Sequence, residues 1–542
     1  MVAQSGAATI PASLQDSLQA RLDGLGSTKR VAQFASAIGR TFSRTDLAAL
    51  SGLAGVDLDQ ALDRLVSAEV LIELDGHYAF RHVVIQDVAY QSLLRSSRRR
   101  IHGEIADYVI GQGHSADPEH VARHLSGAER RVEAAPRWRE AGRRSAGMWA
   151  HAEASSHYNS ALQDAAELGD DRWELEVRLD LVESLRILDR YSEALMQLDR
   201  AQALAGTVGR DRDWLRVHLL RGGILFPLGQ AEECVAAHQD ALAVAQKMDD
   251  PEAEARALSG LADAHFASRR LVTAERTYDD CVQLAEANGL DAVTLANLSL
   301  RGHMRLYLCR IEEARADCRK AVEMSVRAGN RRAEVMARGS CLGKVLLESG
   351  EFAQADKAFA DAGRLAAEIG AHRYEALNLL FRGEVALATS ARADALMRGR
   401  RAAVLAQEAG PRFCLPLALG VVARAQETAD ACRSVLKQAE ALIAAGCLTH
   451  NPLWFYRDAA LAAVAHGWPD EARRYATALR DAFSLEPVPW CDLVADGADA
   501  LAAFLETGDR ARVEAVRERA RALGFVGWAR ALDAASQARS PG

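Results

Sequence analysis

At 542 residues, with 49% hydrophobic and 26% charged content, the chain has the apolar material for a packed core and is not a disordered polymer. A net charge of -8 and a pI near 6.1 exclude the overall basic field that drives nonspecific nucleic-acid binding. No window of about 18 apolar residues is present to span a bilayer, and the nine cysteines, without a CxxC pair, read as small buried apolar residues in a reducing compartment.

Along the chain, MVAQSGAATIPASLQ has neither a charged leader nor an apolar segment long enough for export, so the expected location is cytoplasmic, with residues 1–12 disordered. Ser43-Arg-Thr-Asp46 has the form of a helix cap, and Val56-Asp57 opens a second helix, DLDQALDRLVSAE, with Leu58, Leu62 and Leu65 on one face. Two short apolar runs, Leu71–Leu74 and His77–Phe80, flank Asp75-Gly76, a strong hairpin signal. Helices followed by a two-stranded wing predict a winged-helix-like domain with linking helices over residues 13–112.

A winged helix raises the question of DNA. The helix that would approach phosphates carries Asp57, Asp59, Asp63 and Glu69 against a single Arg64, a poor fit to a polyanion. The basic run Arg95, Arg98, Arg99 and Arg100 reads as a solvated helix face. A DNA-binding transcription regulator stays as an alternative, and nucleic acid is the disfavoured partner.

From residue 113 to 530 the sequence repeats itself. Ala154, Ala194, Cys234, Ala274 and Ala314 recur at a spacing of 40 residues, and Ala355, Ala395, Cys432 and Ala472 continue with slips of a few residues. Seven residues after these anchors, two helical turns, stands another small residue: Ala161, Ala201, Ala241, Cys281, Ala321, Ala362, Ala402 and Ala439. Twelve residues before them come Gly222, Gly302, Gly343, Gly383 and Gly420. Larger side chains there would hold neighbouring helices apart. The Gly-Ala-Ala pattern resembles the tetratricopeptide repeat. It implies an all-α fold, a tetratricopeptide-type α-solenoid of about 40-residue helix hairpins, over 113–530, with 531–542 as a flexible tail.

Catalytic motifs are missing. Gly339-Ser-Cys-Leu-Gly343-Lys344 has one residue too few between its glycines for a phosphate loop, lacks the following hydroxyl, and falls inside a repeat helix. His120 and His124 lie four apart on one helix, yet no glutamate stands between them as a base and no third zinc ligand is evident. GHSAD, at 113–117, lacks the second glycine of a nucleophile elbow. The reading is not an enzyme, with no catalytic residue, metal or cofactor of its own.

IPASLQDSLQARLDGLG (10–26), VAQFASAIGRTF (31–42), LDRLVSAEVL (62–71) and FRHVVIQDVAYQSLLRSSRRRIHGEIADYV (80–109) resemble the stretch that follows the nucleotide-binding module of bacterial STAND-type signalling ATPases. Many of these are fused to class III adenylate or guanylate cyclases and end in tetratricopeptide arrays. The resemblance implies the C-terminal half of such a protein, the nucleotide-binding module being absent. It also implies a nucleotide contact in trans from His82, with Arg81 beside it, in the place of a Met-His-Asp motif whose Met and Asp are here Arg81 and Val83. The alternative is structural: Phe80, Val84, Val88 and Tyr90 pack the wing on its helix while Arg81, His82, Gln86 and Asp87 tie the junction by hydrogen bonds.

Counting from the anchors puts Arg216, Phe226, Arg256, Phe266, His303, Tyr307, Lys344 and Glu384 on the concave wall of the array. Mixed charge with aromatics there suits a peptide or partner helix. The expected function is a noncatalytic regulatory scaffold that binds a protein or peptide partner, or a signal molecule, in that groove. An alternative is a truncated cyclase-type ATPase fragment acting with an ATPase or cyclase module in trans. No membrane partner is expected.

Overall fold

The computed structural model describes residues 12–112, 117–165, 169–446 and 451–537. The expectations for residues 1–11, for GHSAD at 113–116, for Cys447 and for 538–542 lie outside these. The chain separates into two compact units, Met1–Arg210 and Asp211–Gly542, a division that falls inside the helical array.

The first unit begins with α1 (Ala12–Asp23), α2 (Lys29–Ile38), β1 (Thr41–Ser43), α3 (Arg44–Ser51), α4 (Gly55–Ser67), β2 (Leu71–Leu74), β3 (His77–Phe80), α5 (Val83–Gln91) and α6 (Arg95–Gly111). Ser43 caps α3, its Oγ accepting from Asp46 N at 2.9 Å and donating to the Asp46 carboxylate at 2.7 Å. Asp75 and Gly76 both take positive φ, 45° and 80°, the turn that matches the twist of a two-residue hairpin. The sheet has three strands in the order β1-β3-β2, both pairings antiparallel: the expected hairpin of β2 and β3 is present, and β1 joins it as a third strand. Thr41–Ser43 is too short to announce itself as a strand; Phe42, buried between Tyr78 and Phe80, holds it there. Leu58, Leu62 and Leu65 of α4 and Val88 of α5 complete this core.

Helix hairpins follow. The first unit continues with α7 (Pro118–Gly127), α8 (Arg131–Gly147), α9 (His151–Asp164), α10 (Asp171–Ile187) and α11 (Tyr191–Val208). The second unit is α12 (Asp211–Leu228), α13 (Ala231–Lys247), α14 (Pro251–Ala267), α15 (Leu271–Ala287), α16 (Asp291–Tyr307), α17 (Ile311–Arg327), α18 (Arg331–Val335), a π-helix (Met336–Gly343), α19 (Lys344–Glu348), α20 (Phe352–Glu368), α21 (His372–Ala388), α22 (Arg392–Ala409), α23 (Pro411–Ala425), α24 (Ala429–Ala444), α25 (Pro452–His466), α26 (Pro469–Asp481), α27 (Pro489–Thr507), α28 (Ala511–Ala522) and α29 (Val526–Gln537). Residues 531–537 belong to α29, so no flexible tail starts at 531.

Every small anchor of the repeat is buried, none more than 1% exposed. A Cβ added at Gly222 would lie 2.3 Å from His238, and one at Gly343 would lie 2.5 Å from Phe359, so these glycines set how closely the two helices of a hairpin approach. The turns keep the same period. Asp189, Gly229, Arg269, Cys309, Gly350 and Ser390 each take a left-handed φ, and the next N–H bonds back to a carbonyl five residues earlier, as in Arg270 N to His265 O at 2.9 Å.

One repeat is longer. The first helix of the hairpin at α16 has 17 residues, whereas α18, the π-helix and α19 together run from Arg331 to Glu348, one residue more. The π-helix absorbs that residue, which is why the anchor spacing slips between Ala314 and Ala355 while Gly343 still meets Phe359.

The second unit curls until its last hairpins meet its earlier ones. Trp454 of α25 and Trp490 of α27 pack against Tyr307 of α16, and Trp454 also against Phe381 of α21. Glu486, just before α27, caps the start of α15, accepting from Val272 N at 2.8 Å and Thr273 Oγ1 at 2.6 Å.

Candidate functional site

The residues expected on the concave wall divide into two groups. Arg256 and Phe226 are exposed, and Arg216 and Phe266 are half-buried. His303, Tyr307, Lys344 and Glu384 do face inward, but α25, α27 and α29 cover that face and all four are buried. The expectation that these four line an open groove is corrected: the chain itself occupies it.

What they form instead is an enclosed polar cluster. Lys344 Nζ lies 3.3 Å from His303 Nε2 and over the Phe381 ring at 4.8 Å, and burial pushes its pKa down to about 8. Trp454 Nε1 donates to the Tyr307 hydroxyl at 2.7 Å. Arg457 of α25 reaches Glu348 at 2.9 Å, Glu384 and Asp458; Arg424 of α23 reaches Glu384 at 2.9 Å and Asp458 at 3.0 Å. Burial raises the Glu348 pKa to about 7 and raises that of Asp458, while Arg457 and Arg424 hold Glu384 below its usual range. Sequence reasoning missed Glu348, Arg424, Arg457 and Asp458, whose only signal is four charges on otherwise apolar helices.

The second unit does leave a groove open elsewhere. It has a volume of about 1360 Å³ and lies between α16, the C-terminal half of α17 and the start of α18. Thr294, Leu295 and Ser299 form its buried floor; Met324 and Met336 are half-buried, and Arg319 and Arg332 stand exposed on its rim. Unbranched methionines adapt to varied ligand shapes. Met336 is the first residue of the π-helix, so the extra residue of this repeat sits at the groove wall.

In the first unit His82 is the exposed N-cap residue of α5, and its side chain has no partner among the described residues. Its carbonyl accepts from Ile85 N at 3.0 Å. Gln86 Nε2 donates to Ser36 O at 3.1 Å and Arg81 pairs with Glu69 at 3.7 Å, so part of the junction is tied as a structural role requires; Asp87 is exposed. The basic run is largely paired within the chain: Arg95 and Arg99 to Glu129 at 2.6 and 3.0 Å, Arg100 to Glu104 at 2.6 Å, and Arg98 to Leu93 O at 3.0 Å. Asp59 of α4 holds Arg44 through two bonds of 2.6 and 3.0 Å.

His120 and His124 stack edge to face, ring centroids 4.6 Å apart. His124 Nδ1 is engaged by His102 Nδ1 at 2.8 Å, and His102 Nε2 by the Tyr90 hydroxyl at 2.8 Å. Burial pushes His124 down to about 3. Among the described residues no group of three or more His, Cys, Asp or Glu side chains is placed to hold a metal ion, and no helix is long and apolar enough to cross a membrane.

No protein-family profile matches the sequence, and no curated protein sequence matches it. Solved structures similar in fold include a signal transduction ATPase with numerous domains carrying a tetratricopeptide repeat sensor, from Pyrococcus horikoshii, at 11% identity over 76% of this chain and 62% of that one, with a TM-score of 0.46. Aspartyl phosphate phosphatase F from Bacillus subtilis matches at 12% identity over 75% of this chain and 97% of that one, TM-score 0.42. The apo form of RapI matches at 10% identity over 69% and 97%, TM-score 0.47. The chain thus spans less than two thirds of the length of the Pyrococcus protein.

Proposed function

We propose that the chain is a noncatalytic regulatory scaffold whose helix-hairpin array binds a peptide or a segment of a partner protein. The observation that carries this reading is the open groove between α16, α17 and α18, about 1360 Å³, with an apolar and hydroxyl floor, two half-buried methionines and a rim of mixed charge. Such a lining suits an extended or helical segment. In a two-component arrangement, the array would hold an ATPase or cyclase module inactive until the groove is filled. In that reading the exposed His82, with Arg81 beside it just after β3, would contact a nucleotide held on the second chain.

Panning a random peptide library against the full chain tests the groove. Enriched peptides are expected to lose about tenfold or more in affinity when Arg319→Glu and Arg332→Glu are combined. No enrichment, or enriched peptides indifferent to the charge reversal, would overturn it. Titration with ATP or ADP should give no binding by the chain alone; micromolar affinity would sink the noncatalytic reading.

A further inference from the structure

A second, smaller cavity of about 210 Å³ lies in the second unit, separate from the open groove. Its apolar walls include Leu347, Phe352, Leu387 and Leu461, and α29 closes one side with Trp528 and Ala531. Gly527 permits that closure, since a Cβ there would lie 2.3 Å from Leu347 O. The polar end is formed by Glu348, Glu384, Arg424 and Arg457.

The hydrogen bonding at this end is incomplete. Arg457 uses Glu348 Oε1, and both arginines use Glu384 Oε2. Glu348 Oε2 and Glu384 Oε1 are fully buried and accept from no N–H or hydroxyl of the described residues; the side chain that Glu384 bonds besides the arginines is the Asp458 carboxyl, which donates only while it is protonated. A buried carboxylate oxygen without a donor costs free energy that a bound donor would recover. Charge is incomplete in the same sense: three buried carboxylates, with Asp458, face two guanidiniums. Burial keeps protons on Glu348 and Asp458 near neutral pH, so protons stand where a further cation would serve.

We propose that this cavity binds a small molecule carrying a protonated primary amine, whose N–H groups donate to Glu348 Oε2 and Glu384 Oε1 while its apolar body lies between Leu387, Leu461 and α29. An ammonium offers three donors and the missing positive charge; a carboxylate ligand would meet repulsion, and a neutral alcohol would leave one oxygen unpaired. Because the ammonium takes the place of the bound protons, affinity rises as pH increases from 6 to 8. Arg424, Arg457 and Asp458 around the carboxylates and Arg530 at the mouth are the other charges that face the site.

Calorimetric titration of the full chain with 2-phenylethylamine and n-butylamine, against 2-phenylethanol and phenylacetate, decides it. The expected result is saturable single-site binding of at least one amine, none of the alcohol or acid, and affinity several-fold higher at pH 8 than at pH 6. Ala531→Phe, which fills the half-buried wall, is expected to abolish binding, and Glu384→Gln to weaken it about tenfold or more. If neither amine saturates the unaltered chain, or the alcohol binds as tightly as the amine, the proposal fails, whatever the variants' folding behaviour.

Discussion

The indole N–H of Trp454 donates to the Tyr307 hydroxyl at 2.7 Å across 147 residues of sequence, and both side chains are buried. This bond joins the late part of the second unit's array to its early part.

Tyr307→Phe removes the acceptor and leaves a buried indole donor unpaired. The expected cost is about 1–3 kcal/mol of stability, seen as a lower melting temperature. Hydrogen exchange should quicken in α25 and α27 before it does in α12 or α13.

Ala274 and Ala314 are both 0% exposed on the contact stripe of their helices. Ala274→Leu or Ala314→Leu is expected to cost about 1–3 kcal/mol through overpacking. Ala287→Leu, at the exposed end of α15, should leave the thermal melt unchanged, and equal losses at all three positions would contradict close helix nesting.

Stability should depend on pH differently in the two units. Glu348 is raised from 4.5 to about 7 in the folded state, so between those values the native chain holds more protons than the unfolded one and stability falls as pH rises. Asp458, raised for the same reason, adds in the same direction. Lys344 is lowered from 10.5 to about 8, so from 8 upward the unfolded chain holds more protons and stability returns. Asp263, raised to about 6, adds to the fall, and His238, depressed from 6.5 to about 4, opposes it only below 6.5, so the second unit is expected to be least stable around pH 7–8. His124, depressed from 6.5 to about 3, acts in the first unit: its contribution is present above 6.5 and is lost as pH falls toward 3. Urea melts at fixed pH, read by pulse proteolysis with peptides assigned to each unit, check both slopes.

Deleting Arg338 from the π-helix restores a helix of ordinary length between Arg331 and Glu348. Helicity by circular dichroism should be kept. Peptides selected on the open groove should lose about tenfold in affinity as Met336 and Arg332 rotate away from its wall.

The repeat was legible because it is local. Ala274, Cys281 and Gly302 are small for reasons that operate within one hairpin, and a constant spacing exposes them. The cap at Ser43 and the turn at Asp75-Gly76 were legible for the same reason. The extra residue showed as a slip of the anchors, but the spacing alone could not tell a longer turn from a π-helix. The sealing of His303, Tyr307, Lys344 and Glu384 was not legible. It depends on the accumulated rotation of many hairpins, which brings Arg457 to Glu348 across 109 residues. Arg457 and Asp458 stand out only as two charges in the apolar run of α25, and nothing local to that helix names their partners.

Because Trp454, Trp490 and Arg457 are covalently tethered to the wall they cover, any outside molecule aimed at Tyr307 or Lys344 faces an internal rival. Weak ligands are thereby turned away from that wall, and only one able to outbid the resident helices would uncover it.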